Sequence, residues 1–247
     1  MRILHVVDEL DPRLGGPPVV ATRLATAQSA LGHDVHLLTY SSAGLEPTTG
    51  DLLAAVPGGD NVHVHEVPQS ASAGKAAIPA IRRAAGDALD EAEFVHLHGV
   101  WPPIFPVAAA SARRRRIPYV VMPHGMLSEW AIGQKSLKKR VALALVHRRM
   151  LSKAAFIQYL NSEERRRASH LNLQTDNLII PNGVFLDEYS SLPPAGSFRD
   201  SHPEIGQDPY VLYLGRLHPL KGLDLLIDAF ALLHQELANV RLVIAGP

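Results

Sequence analysis

Two cations on one short loop, Arg216 and Lys221 within Gly215–Gly222, have the clearest chemical use in this sequence. Arginine presents a planar fork of donors and lysine a mobile point charge, a combination suited to a diphosphate. Gly215 and Gly222 keep the backbone open beside them. The same residues also fit a solvated turn with two surface cations. Imidazoles form a second group. His96 and His98 lie two apart, as do His63 and His65, and on a strand such pairs share a face. An H-x-H pattern invites a metal, but a site needs a third ligand, and no Cys or carboxylate cluster stands nearby in the sequence. His98, followed by Gly99 and Trp101, and His124, within Pro123-His124-Gly125-Met126, each come after an apolar run. Both read as imidazoles presented from strand ends, whereas His96 reads as structural. Gly15-Gly16 precedes a helical pattern, which makes either a plain turn or a helix N-terminus open to an anion. Its spacing is not G-x-G-x-x-G, which disfavours a nicotinamide-dinucleotide site.

These residues need strands and helices to hold them. Apolar runs predict strands over Arg2–Val7, Val35–Tyr40, Val62–Val67, Phe94–Leu97, Tyr119–Met122, Phe156–Tyr159 and Leu178–Ile180. Between them, helical spacing predicts Val19–Leu31, Ile78–Leu89, Ile104–Arg116 and a basic amphipathic helix over Gln134–Leu151. That last helix is either packed with a solvated face or able to lie on anionic lipid. Asn161 and Glu164 predict a capping box for a short helix through His170. Strands alternating with helices imply an α/β fold, a Rossmann-like, mostly parallel sheet with helices on both faces. Leu186–Asp208, rich in Pro, Ser and Gly, reads as a linker. After it, a strand ending at Leu214, the Arg216/Lys221 loop, a helix over Leu223–Leu237 and a strand over Val240–Ile244 make one βαβ unit of an incomplete second Rossmann-like domain. The expected layout is 1–185 for the first domain, 186–208 for the linker and 209–247 for the start of the second.

Composition narrows the function class. The 247 residues are 47% hydrophobic and 19% charged, ordinary for a globular chain, and a formal net charge of zero gives no case for nucleic-acid binding. With no cysteine, disulfides and thiolate metal sites are excluded, which fits a cytoplasmic protein. No apolar run approaches the ~20 residues needed to cross a bilayer. The opening MRILHVVDEL reads as a first strand and not as a signal peptide. No D-x-D occurs, so the usual carboxylate grip on a divalent cation is missing.

In order, the glycine loop, the HLHG, PHGM and PNGV segments and the GR…KG loop resemble the family 4 (group 1) retaining glycosyltransferases of GT-B fold, over essentially the whole chain. The resemblance implies a nucleotide-diphosphate sugar donor, no cofactor, and a carbohydrate, lipid-linked or small-molecule acceptor. It implies that Arg216 and Lys221, with Gly15 and Gly16, hold the donor diphosphate without a metal. It also implies that His124 hydrogen-bonds the transferred sugar and that His98 helps to position sugar and acceptor. Where the family's PNGV segment continues with an acidic residue, Phe185 stands here. The family's acidic motif and its nucleotide-reading residues belong beyond Pro247. The expectation is therefore an N-terminal domain plus the start of a C-terminal one, in a cytoplasmic enzyme with peripheral membrane contact through Gln134–Leu151. The rival reading is a truncated, non-catalytic homologue that binds an acceptor or a partner. An epimerase of the same fold, acting on a nucleotide sugar, is a weaker rival, disfavoured by the GR…KG loop.

Overall fold

The computed structural model describes residues 1–42, 47–69, 77–133 and 143–246. They form two compact units, Met1–Gly183 and Val184–Pro247. In the first unit the apolar runs become strands β1 (Arg2–Val6), β2 (Asp34–Tyr40), β3 (His63–Val67), β4 (Phe94–Leu97), β5 (Tyr119–Val121), β6 (Phe156–Tyr159) and β7 (Asn177–Ile179). They join in one seven-stranded sheet of order β3-β2-β1-β4-β5-β6-β7. Every described pairing within it is parallel.

Parallel sheets need cover on both faces, and alternate residues of the strands show it. Leu4, Val6, Leu38, Val95 and Leu97 pack with Ile81 of α3 (Ala77–Ala88) and Phe105 of α4 (Ile104–Arg114). Val35 and Leu37 pack on the other face with Ala21 and Ala25 of α1 (Gly16–Ala30). Helix α1 begins at Gly16, earlier than the sequence periodicity indicates, because Pro17 and Pro18 suit a first helical turn. A short helix, α2 (Thr49–Ala54), lies between β2 and β3, where the sequence periodicity indicated no element. Its start is a capping box between Thr48 and Asp51, a local signal that composition obscured.

The helix expected over Gln134–Leu151 lies, for residues 134–142, outside the described residues. Before it is α5 (Glu129–Gly133); after it come a π-helical turn (Leu143–His147) and α6 (Arg148–Ser152), which buries Met150 and Leu151. The first unit ends with α7 (Ser162–Ala168) and β7. Among the described residues, no helix is long and apolar enough to cross a membrane.

The second unit pairs β8 (Tyr210–Leu214) with β9 (Arg241–Ala245) in parallel, joined through α9 (Leu223–Glu236). The stretch read as a linker is structured in its later part. Helix α8 (Ser197–Ser201) carries Arg199, whose guanidinium donates to the Gly206 and Asp208 carbonyls and lies 4.9 Å from the Tyr210 ring centre.

Candidate functional site

Strand order reverses between β1 and β4, and a crevice outside the carboxyl ends of strands at such a point is where open α/β sheets bind ligands. His5 on β1 is in register with His96 on β4, so both, and His98 just past β4, project from one face. The three rings are in contact, with centroids 4.3 Å apart for His96 and His98 and 5.2 Å for His5 and His98. His5 Nε2 donates to Gln28 Oε1 of α1 at 2.7 Å. Its Nδ1 therefore carries the lone pair and accepts from His98 Nε2–H at 2.9 Å. This chain leaves His98 Nδ1 as a buried acceptor without a protein partner, and His96 Nε2 is likewise unpartnered. Burial pushes His5 down to about 4. It holds His96 and His98 well below the usual histidine range, helped by the neighbouring imidazoles. All three are neutral at pH 7, each with one donor and one acceptor. His96, read as structural from sequence, is part of this polar cluster.

His124 follows β5 in the left-handed region, at φ +52°, with Gly125 beside it at φ +77°. Its ring stacks on His98 at 5.7 Å, its Nε2 is buried without a partner, and burial lowers it to about 4. A non-glycine residue at positive φ carries a backbone cost, so something must hold the loop. Glu164 of α7 does so: Oε1 accepts from Gly125 N–H at 2.5 Å and Oε2 from Leu160 N–H at 2.7 Å. Only half of the expected capping box forms, Glu164 N–H donating to Asn161 Oδ1 at 2.8 Å, because the carboxylate is drawn to the His124 loop instead.

Gly15 (φ +131°) caps α1, and its N–H already donates to Pro12 O. Pro17 and Pro18 have no N–H, so Gly16 supplies the remaining amide of that first turn. The helix N-terminus is thus a poorer anion site than its glycines indicate.

In the second unit Arg216 and Lys221 are exposed on the loop that opens α9. Tyr213 Oη donates to Arg216 O at 2.8 Å, and Lys221 N–H to His218 O at 2.8 Å, fixing the backbone at both cations. Gly222 caps α9 at φ +63°. The first intrahelical bond there is Leu226 N–H to Gly222 O, so the amides of Leu223, Asp224 and Leu225 lie in the unbonded first turn beside Lys221.

Residues 15–183 match the family described as Glycosyl transferase 4-like domain, and residues 196–247 the one described as Glycosyl transferases group 1. The chain belongs to the glycosyl transferase 4-like family. No curated protein sequence matches it. Among solved structures it is similar to the Anabaena protein HepE in complex with UDP and glucose, with a TM-score of 0.69 at 18% identity over 99% of the chain. It is similar also to sucrose-phosphate synthase from Thermosynechococcus elongatus, with a TM-score of 0.66 at 16% identity over 99% of the chain. The chain spans 60% of the length of the first and 62% of the second. These likenesses establish the GT-B fold. A provisionally named UDP-N-acetylglucosamine 2-epimerase from Listeria monocytogenes shares it, with a TM-score of 0.55 at 9% identity over 98% of the chain and 61% of its own. The fold by itself therefore does not separate transferase from epimerase.

Within the glycosyl transferase 4-like region lie Gly15, Gly16, His98 and His124, and within the group 1 region Arg216 and Lys221. Inside the first unit the sheet brings His98 and His124 together. Sequence reasoning missed His5 and Gln28, which set the protonation of His98, and the contact of Glu164 with the His124 loop. A strand histidine followed by a glutamine on the next helix was the only available signal.

Proposed function

We propose that the protein transfers a sugar, with retention and without a metal, from a nucleotide-diphosphate donor to a hydroxyl of a carbohydrate or lipid-linked acceptor. The observation that carries this reading is the α9 entry loop, where Arg216, Lys221 and the open first-turn amides make a cationic, donor-rich seat for a diphosphate. In the reaction the bond from the anomeric carbon to the β-phosphate oxygen breaks, and the acceptor oxygen bonds that carbon on the same face. The acceptor's proton passes to the departing phosphate. Charge grows on that phosphate, and Arg216 and Lys221 stabilise it. Neutral His98 and His124 do different work: they hydrogen-bond the sugar and acceptor hydroxyls without adding charge.

Charge-assisted contacts of this kind are worth about 1.5–3 kcal/mol each. Arg216→Ala or Lys221→Ala is expected to weaken nucleoside-diphosphate binding roughly ten- to a hundredfold by calorimetry. His124→Ala is expected to lower turnover while leaving that affinity intact. Unchanged affinity in both cation variants would remove the basis of the reading.

A further inference from the structure

A second imidazole group lies at the opposite end of the sheet from His98 and His124, where β2 and β3 begin. The sequence showed H-x-H at His63 and His65 with no carboxylate cluster nearby. Pairing of β2 with β3 places His36 opposite His63 and brings Asp34 within reach of both. We propose that Asp34, His36 and His63 form a binding site for one divalent transition-metal ion of the zinc class.

The donor atoms already lie at ligand-to-ligand spacing. A tetrahedral ion with bonds of about 2.0–2.2 Å has ligand atoms roughly 3.3–3.5 Å apart. Asp34 Oδ1 is 3.1 Å from His36 Nε2 and 3.8 Å from His63 Nε2, and one ligand atom from each of the three lies within 4.8 Å of the others. Two nitrogens and one carboxylate oxygen suit zinc, cobalt or nickel, whereas calcium and magnesium want an all-oxygen shell. The surroundings fit as well. Arg2 Nε holds Asp34 Oδ2 at 2.6 Å, which turns Oδ1 toward the histidines. His36 Nδ1 is 2.7 Å from His65 Nε2, the kind of outer partner that fixes a metal-bound imidazole. When Nε2 of His36 binds the ion, the ring proton sits on Nδ1 and is donated to His65.

The Arg2 guanidinium acts against a cation at His36 and His65, and nearby carboxylates offset it. Arg2 is paired with Asp34 and, at 3.1 Å from Nη1, with Glu91, and Asp87 faces His65. The His63 side chain is 67% exposed, leaving the outer coordination position to water. The ligands come from two neighbouring strands, one of them the edge strand β3, so a bound ion cross-links the edge of the sheet.

The test uses the 247-residue chain with zinc chloride in calorimetry and cobalt chloride in visible absorption. Expected are one high-affinity ion per chain, cobalt bands of four- or five-coordinate intensity, and a zinc-dependent rise in Tm. His63→Ala, an exposed change that leaves the fold intact, and Asp34→Asn should each weaken binding at least about tenfold. Should His63→Ala bind zinc as tightly as the unchanged chain, the ion sits elsewhere, for example at His5, His96 and His98, and the proposal fails. It fails equally if the unchanged chain shows no saturable binding.

Discussion

Four imidazoles meet at the crevice end of β4, and burial keeps those of His5, His96, His98 and His124 below the ordinary histidine range. Unfolding returns each to a value near 6.5. Between that value and about 4, the figure for His5 and His124, the unfolded chain binds more protons than the folded one. Stability is therefore complete above roughly pH 6.5 and falls as pH drops, by about 1.4 kcal/mol per pH unit for each proton taken up. His96→Leu should remove about one proton from that uptake. It also deletes an unpartnered buried nitrogen, so stability at pH 7 should not fall much. Denaturant melts from pH 7 to 4.5 check this, and an unchanged pH slope in His96→Leu would refute the assignment.

At the level of elements, the turn from β4 into α4 is the tightest constraint around the site. Gly99 has φ +155°, and a Cβ there would lie 2.5 Å from Cζ of Phe105, a fully buried ring of α4. No flexible side-chain tip is available to yield, because Phe105 is locked in the core shared by α3 and α4. Gly99→Ala should destabilise the first unit by about 1–3 kcal/mol, the usual range for overpacking, and shift His98 with it. Thermal unfolding reads the first effect and the histidine NMR resonances the second. Wild-type stability in Gly99→Ala would mean that α4 moves freely against β4. Glu164 acts similarly between elements, tying α7 to the loop after β5 through two backbone amides.

The molecule as a whole is unevenly stabilised. The first unit has a seven-stranded sheet with apolar cover on both faces. In the second, α9 has no buried residue, and Leu225 and Leu232 are 71% and 66% exposed. Its sheet consists of β8 and β9. A large apolar side chain is worth about 1.5–3 kcal/mol when buried, against a typical domain stability of ~5–15 kcal/mol. In the 247-residue chain, amides of α9 should exchange much faster than those of β1 and β4, and proteases should cut after Gly183 first. Slow exchange in α9 together with first cuts elsewhere would contradict both expectations.

Much of this was written locally. Apolar runs marked most of the strands to within a residue or two, since burial on both faces of a parallel sheet requires such runs. The same local signal placed His98 and His124 at strand ends and put Arg216 and Lys221 on one loop. Where sequence reading fell short, the contacts were distant along the chain. His5 and His98 are 93 residues apart, and Gly125 and Glu164 are 39 apart. Asp34 reaches His63 only because β2 and β3 pair in one particular register. Residue type and spacing determined which groups could do chemistry. Strand order and register decided which of them meet, because a side chain's hydrogen-bond partner and burial are properties of neighbours that only the folded sheet brings together.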